Sequence, residues 1–146
     1  MSARPPADEG NAVIEFVVLG LLMLVPVVYL VVTLGRIQAA SFATDGGARS
    51  AARVFVTADD DARGGALAAS SARLALLDQG FAPGADVVAV TCSAQPCLTP
   101  QGRVVVRVSI DVVLPGVPAA LDAVIPTHVT VRSTHVATVD RFRAAP

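Results

Sequence analysis

From Phe16 to Leu34 the chain carries no charged side chain, and a single carboxylate, Glu15, stands immediately before this run. As a helix with about 1.5 Å rise per residue, Ala12 to Gly35 extends roughly 36 Å. A bilayer's hydrocarbon core is about 30 Å thick, so one helix here can cross it. Glu15 is then the residue in need of explanation. A carboxylate at the bilayer centre costs about 2.5–3.5 kcal/mol on insertion scales, which calls for a partner. At the membrane surface the same side chain would instead complement the helix dipole, worth about 0.3–1 kcal/mol.

The ten residues before the run, Met1 to Gly10, differ from a secretory signal. Such a signal has a positive n-region and an apolar core of about 7–15 residues. Here Arg4 is offset by Asp8 and Glu9, and the apolar core is longer. No small-x-small cleavage site follows, because Ile37-Gln38-Ala39 places Ile where a small residue is wanted. A retained anchor is therefore expected. Arg36, Arg49 and Arg53 lie beyond the run, so loop charge alone does not set an N-inside orientation.

Pro26, in the middle of the run, removes a backbone hydrogen bond and crowds the carbonyl of Leu22, so a kink is expected there. Membrane helices tolerate such a residue. Past Gly35 the helical pattern continues. Ala39, Ala43, Gly47 and Ala51 recur every four residues, with Ala40, Thr44, Ala48 and Ala52 beside them. Such a face of small residues lets another helix approach closely. Asp45 and Arg49 are spaced to pair. One helix from Ala12 to Phe55 is expected, with a bend also near Gly46. A second helix is expected from Asp60 to Gln79. Asp59-Asp60-Asp61 suits its N-terminal cap and first turn better than a calcium loop, whose ligand spacing is missing. Leu67, Leu74 and Leu77 form its candidate apolar stripe. Gly80 suits the left-handed position after the last turn, with Phe81 folding back on Leu76 and Pro83 barring continuation.

Beyond Pro83 the hydrophobic period becomes two. Three strands are expected, at Ala85–Cys92, Arg103–Leu114 and Thr127–Val139. In the second, Val104, Val106, Val108, Ile110, Val112 and Leu114 share one face, opposite Arg103, Arg107, Ser109 and Asp111. That alternation describes a half-buried antiparallel strand. The third strand's phase slips between Val131 and Val136, which predicts a bulge near Ser133. Ala119 to Val124 suits one short helical turn. The fold class is α+β: a long N-terminal membrane helix, a second helix and a three-stranded antiparallel sheet. The sheet's apolar face is expected to lie on the second helix and the distal part of the first.

Cys92 and Cys97 are the only cysteines. An even pair this close in an extracytoplasmic domain reads as a disulfide, and closing so small a loop contributes about 2 kcal/mol. Two cysteines alone do not make a metal site, and Cys-x-x-Cys, the thioredoxin-like spacing, is absent. His128 and His135 fall on opposite faces of a strand by parity and have no nucleophile motif beside them. No phosphate-cradling glycine loop occurs. The net charge of −1 gives no electrostatic footprint for nucleic acid. All eleven basic residues are Arg, Trp is absent and Tyr occurs once, so stacking platforms for bases or sugars are not expected. No enzyme activity, cofactor, metal or small-molecule substrate is expected.

Gly10, then Asn11-Ala12-Val13-Ile14, then Glu15 and an apolar helix resembles the processing site of type IV prepilins and pseudopilins. Phe16, Pro26 and Gly35-Arg36 resemble more narrowly the "VEF…LP…GR" pattern of TadE-like pseudopilins of tight-adherence pilus systems. The resemblance implies a prepilin-type leader (1–10), a transmembrane helix (11–35), its extracytoplasmic continuation (36–56) and a small α+β domain (57–146). It implies cleavage between Gly10 and Asn11 by a prepilin peptidase, with Glu15 and Phe16 as assembly residues. Glu15 would pair with a neighbouring subunit's Asn11 amine and set the axial register. The implied partners are other pilins or pseudopilins, the inner-membrane Tad platform and the lipid bilayer. The implied location is the inner membrane, with the short N-terminus cytoplasmic and the C-terminal domain outside. Two departures stand out: Asn11 is polar where many pilins have Phe or Met, and Asp8-Glu9 replaces a basic lead-in. The chain is also longer than the major pilins of these systems, so a minor pseudopilin is expected. The alternative is a signal-anchored envelope protein whose domain binds a partner without catalysis; it requires no cleavage after Gly10 and no role for Glu15.

Overall fold

A computed structural model describes residues 11–116 and 127–144 of the 146-residue chain. The leader Met1 to Gly10 and the helical turn expected over Ala119–Val124 lie outside the described residues. Five elements follow in order: α1 (Asn11–Thr57), α2 (Asp61–Asp78), β1 (Val88–Cys92), β2 (Arg103–Val113) and β3 (His128–Thr138). α1 is a single 47-residue helix that runs unbroken through Pro26 and Gly46-Gly47. Its first part is long and apolar enough to cross a membrane.

Local chemistry sets the boundaries of α2. Asp60 is its N-cap, with an extended backbone and a side chain that accepts the Arg63 backbone N–H at 2.8 Å. This satisfies one of the amides that a helix start leaves without a partner. At the other end the Phe81 N–H donates to the Leu76 carbonyl and the Gly80 N–H to that of Leu77. Gly80 has φ +75°. These two bonds and the left-handed residue between them form a Schellman motif, and Leu76 and Phe81 are both buried in the core it closes.

The three strands form one antiparallel sheet in the order β1-β2-β3. The two helices lie side by side on one face of it. α1 covers β2 and β3, while α2 packs on α1 and meets the sheet mainly at β1. The expectation that α2 would share the sheet's apolar face with α1 therefore holds mainly at that edge. Val104, Val106, Val108, Ile110 and Val112 point into the core as the alternation required.

Two expectations are corrected. Leu67, Leu74 and Leu77 are exposed, and the buried stripe of α2 is Gly64, Ala68, Ala72 and Leu76. Small residues win this face because α1 presents its own: a Cβ added at Gly47 would lie 3.6 Å from the Ala72 backbone and the Ala75 side chain. Two such stripes bring the helix axes closer than leucines would allow. A Cβ added at Gly64 would lie 3.2 Å from the Phe55 ring and carbonyl. The bulge near Ser133 is also absent. Register runs without interruption from Arg103 opposite Thr138 to Val113 opposite His128. The phase slip arises because Ser133, though polar, faces the helices and donates to the Asp45 carboxylate at 3.3 Å. Val136, though apolar, faces outward.

Arg143 fastens the tail to the far end of α1. Its guanidinium donates to the carbonyls of Val56, Ala58 and Asp59 at 3.3, 2.6 and 2.8 Å. Those carbonyls lie at the helix's negative end and just beyond it, where a cation is favoured.

The helix–helix contact yields a paired test. Gly64→Val should lower stability by about 1–3 kcal/mol through overpacking against Phe55. Gly65 faces open space, so Gly65→Ala should raise stability by up to about 1 kcal/mol through helix propensity. Thermal unfolding of the full chain in detergent, followed by circular dichroism, measures both.

Candidate assembly surface and the disulfide loop

From Ala12 to Val28 every side chain of α1 is exposed, on all sides of the helix. An apolar helix with no covered face requires a non-aqueous environment or an apolar partner. One side of it carries a shallow groove lined by Val18, Leu21, Leu22, Val25, Pro26 and Tyr29. Pro26 has no N–H to offer the Leu22 carbonyl, so this groove also carries a backbone acceptor without its usual helical donor.

Asn11 opens the helix and Glu15 follows four residues later, about 6 Å along the axis. Glu15 therefore lies just past the first turn, and Phe16 beside it is exposed. Among the described residues no hydrogen bond or ion pair reaches Glu15, and the next charged side chain along α1 is Arg36. Gly10, on one side of the expected cleavage point, lies outside the described residues.

Cys92 and Cys97 are joined, with Cα atoms 5.3 Å apart. The bridge closes the turn that leaves β1. Asp61, the first residue of α2, accepts the backbone N–H groups of Cys97 at 2.8 Å and Leu98 at 3.2 Å. A carboxylate here serves two purposes. It complements the positive end of α2, and it ties the disulfide loop to the helix pair across 36 residues of sequence. The Ser93 hydroxyl accepts the Arg103 N–H at 2.9 Å and aligns the return into β2. The sequence expectation assigned Asp61 to the helix start alone. Its second role depends on a loop remote in sequence, and no local pattern announces that.

His128 and His135 lie on opposite sides of β3, as parity requires; His128 is exposed and His135 is half-buried on the helix side. Among the described residues no group of three or more His, Cys, Asp or Glu side chains could hold a metal ion. An open depression of about 430 Å³ near the end of the sheet is lined by Phe81, Asp86, Val87, Ser109, Asp111 and Thr130, among others. The Thr130 hydroxyl donates to Asp111 at 2.6 Å. The depression's polar lining is the Asp86 and Asp111 carboxylates and the Ser109 and Thr130 hydroxyls.

No family model, characterised protein or solved structure matches this chain.

The anchoring role of Asp61 is testable. Asp61→Ala leaves two half-buried N–H groups without their acceptor and should cost about 1–3 kcal/mol. Asp59→Ala removes only an exposed, 3.7 Å ion pair with Arg63 and should change stability by less than about 0.5 kcal/mol. Comparing the two unfolding midpoints under non-reducing conditions checks this.

Proposed function

We propose that the chain is a minor pseudopilin of the TadE-like kind, a non-catalytic assembly component of a tight-adherence pilus that works without a cofactor. The observation that carries this reading is the start of α1. A lone carboxylate at its fifth residue precedes an apolar helix, exposed on all sides from Ala12 to Val28, that continues without a break into a folded α+β domain. In this reading a prepilin peptidase cleaves after Gly10, and the mature chain begins at Asn11. The helix is held in the inner membrane with its N-terminus on the cytoplasmic side. The domain sits outside the cytoplasm, where a disulfide such as Cys92–Cys97 persists.

Glu15 then supplies the assembly step. A carboxylate in hydrocarbon is stabilised by a cation brought to it, and a neighbouring subunit's Asn11 ammonium is a cation at the matching depth. The pairing fixes the axial offset of one subunit on the next. Phe16 and the groove around Pro26 add apolar contact in the same layer. Other pilins or pseudopilins and the inner-membrane Tad platform are the partners, with lipid as the solvent of the unassembled helix.

N-terminal sequencing of protein extracted from native membranes is the direct test, and a chain beginning at Asn11 is expected. In a host with an active prepilin peptidase, a chain still beginning at Met1 or Ser2 would favour a signal-anchored envelope protein. Glu15→Ala should leave membrane insertion and processing intact but reduce pilus assembly and co-purification of pilin partners at least about tenfold, the equivalent of one lost buried charge pairing. Unchanged assembly would sink the register mechanism.

A further inference from the structure

The folded domain extends along α1 well past the end of the apolar run. A side-chain carbon added at Gly116, just after β2, would lie 3.7 Å from the Tyr29 ring. Tyr29 is seven residues before Arg36, about 10 Å along the helix axis. One turn above it, the Thr33 hydroxyl oxygen is buried with no hydrogen-bond partner. Arg36 lies 5.6 Å from the centre of the Phe81 ring, and Ala40 is fully buried. One side of α1 is thus covered by the domain from Ala40 down to Tyr29.

The strands run along the helix. Gly116 meets Tyr29 at one end, Ser133 bonds Asp45 midway, and Arg143 holds Val56 and Ala58 at the other. The C-terminal end of β2 is therefore the end nearest the exposed apolar helix. Val113, 68% exposed, closes the outer face of β2 there, and Leu114 and Pro115 follow it.

The length of free helix then sets a limit. Among the described residues only Ala12 to Val28 lie clear of the domain, about 25 Å of helix against a hydrocarbon core of about 30 Å. Resting on the membrane-spanning reading of α1, we infer that the end of the domain formed by Val113, Leu114, Pro115 and Gly116 is a second membrane-contacting surface. It sits at the boundary of acyl chains and headgroups in the outer leaflet, beside Tyr29. Its chemistry suits that depth. The four residues carry no charge, and a tyrosine places an apolar ring and a polar hydroxyl at such a boundary. Asp111, two residues up the strand, stands about 7 Å higher, and Arg36 about 10 Å above Tyr29, where headgroups and water solvate them. The domain is thereby seated on the bilayer through two contacts, which fixes its tilt.

The chain has no tryptophan, so one introduced indole reports alone. Val113→Trp and Val136→Trp make a matched pair. Both positions are exposed valines on the outer face of the sheet, 68% and 52% exposed. Val136 lies opposite Val105, eight residues and about 27 Å from Val113 along β2. Leu22→Trp reports on the helix itself, and Pro115→Trp reads the same depth as Val113→Trp should that variant fold poorly. Each full-length variant is reconstituted in phosphatidylcholine vesicles, with and without lipids brominated high on the acyl chains. The inference expects bromolipid to quench Leu22→Trp and Val113→Trp, with blue-shifted emission, and to leave Val136→Trp unquenched but open to aqueous iodide. If Leu22→Trp is quenched while Val113→Trp behaves like Val136→Trp, the helix spans and the second contact does not exist. Val113→Trp shielded from both bromolipid and iodide would show a second copy covering this end and would also overturn the inference. If Leu22→Trp escapes bromolipid, the spanning reading fails and the inference fails with it.

Discussion

The close contact between the distal half of α1 and α2 is the interaction on which the rest of the domain depends. Two stripes of alanine and glycine meet there, and a Cβ at Gly64 would crowd Phe55. Each alanine removes little apolar area from water, so the contact gains mainly from dense packing between backbones that large side chains would hold apart. With α2 held in this way, one side of α1 is left for the sheet, against which β2 buries Val104, Val106, Val108, Ile110 and Val112.

A core built from alanine and valine leaves the ends of the elements to polar fastenings. Asp61 ties the disulfide loop to the start of α2, Arg143 ties the tail to the end of α1, and Ser133 meets Asp45 between sheet and helix. Each of these joins segments far apart in sequence, and each satisfies backbone or charged groups that would otherwise compete for water. The disulfide acts in the same region by shortening the loop that Asp61 holds.

The two halves of α1 meet different surroundings within one unbroken helix. The proximal half is apolar around its whole circumference, and the distal half is small-residued on the buried side and charged on the other, as Arg49 and Arg53 illustrate. The transition is staggered rather than sharp. On the side facing the domain, coverage begins at Tyr29, while the charged sequence begins only at Arg36. This offset is why the assembly reading of Glu15 and Phe16 and the seating of the domain concern opposite ends of the same exposed segment.

Much of this architecture was legible in the sequence. An uncharged run long enough to cross a bilayer, the aspartate cap and Gly80 stop of α2, and the strict alternation of β2 are local patterns, because helix ends and strand faces are decided within a few residues. The proximity of Cys92 and Cys97 made their pairing readable too. What only the tertiary structure decided depended on which surfaces meet. Leu67, Leu74 and Leu77 looked like the buried stripe by hydrophobicity, yet the small face won because α1 offered a matching one. The apparent slip in β3 disappeared because a half-buried serine found Asp45, and hydropathy assigns no value to a partner 88 residues away. The second role of Asp61, the grip of Arg143 and the approach of Gly116 to Tyr29 are likewise contacts between remote segments. A sequence determines its local conformations residue by residue, whereas such contacts exist only once the chain has closed on itself.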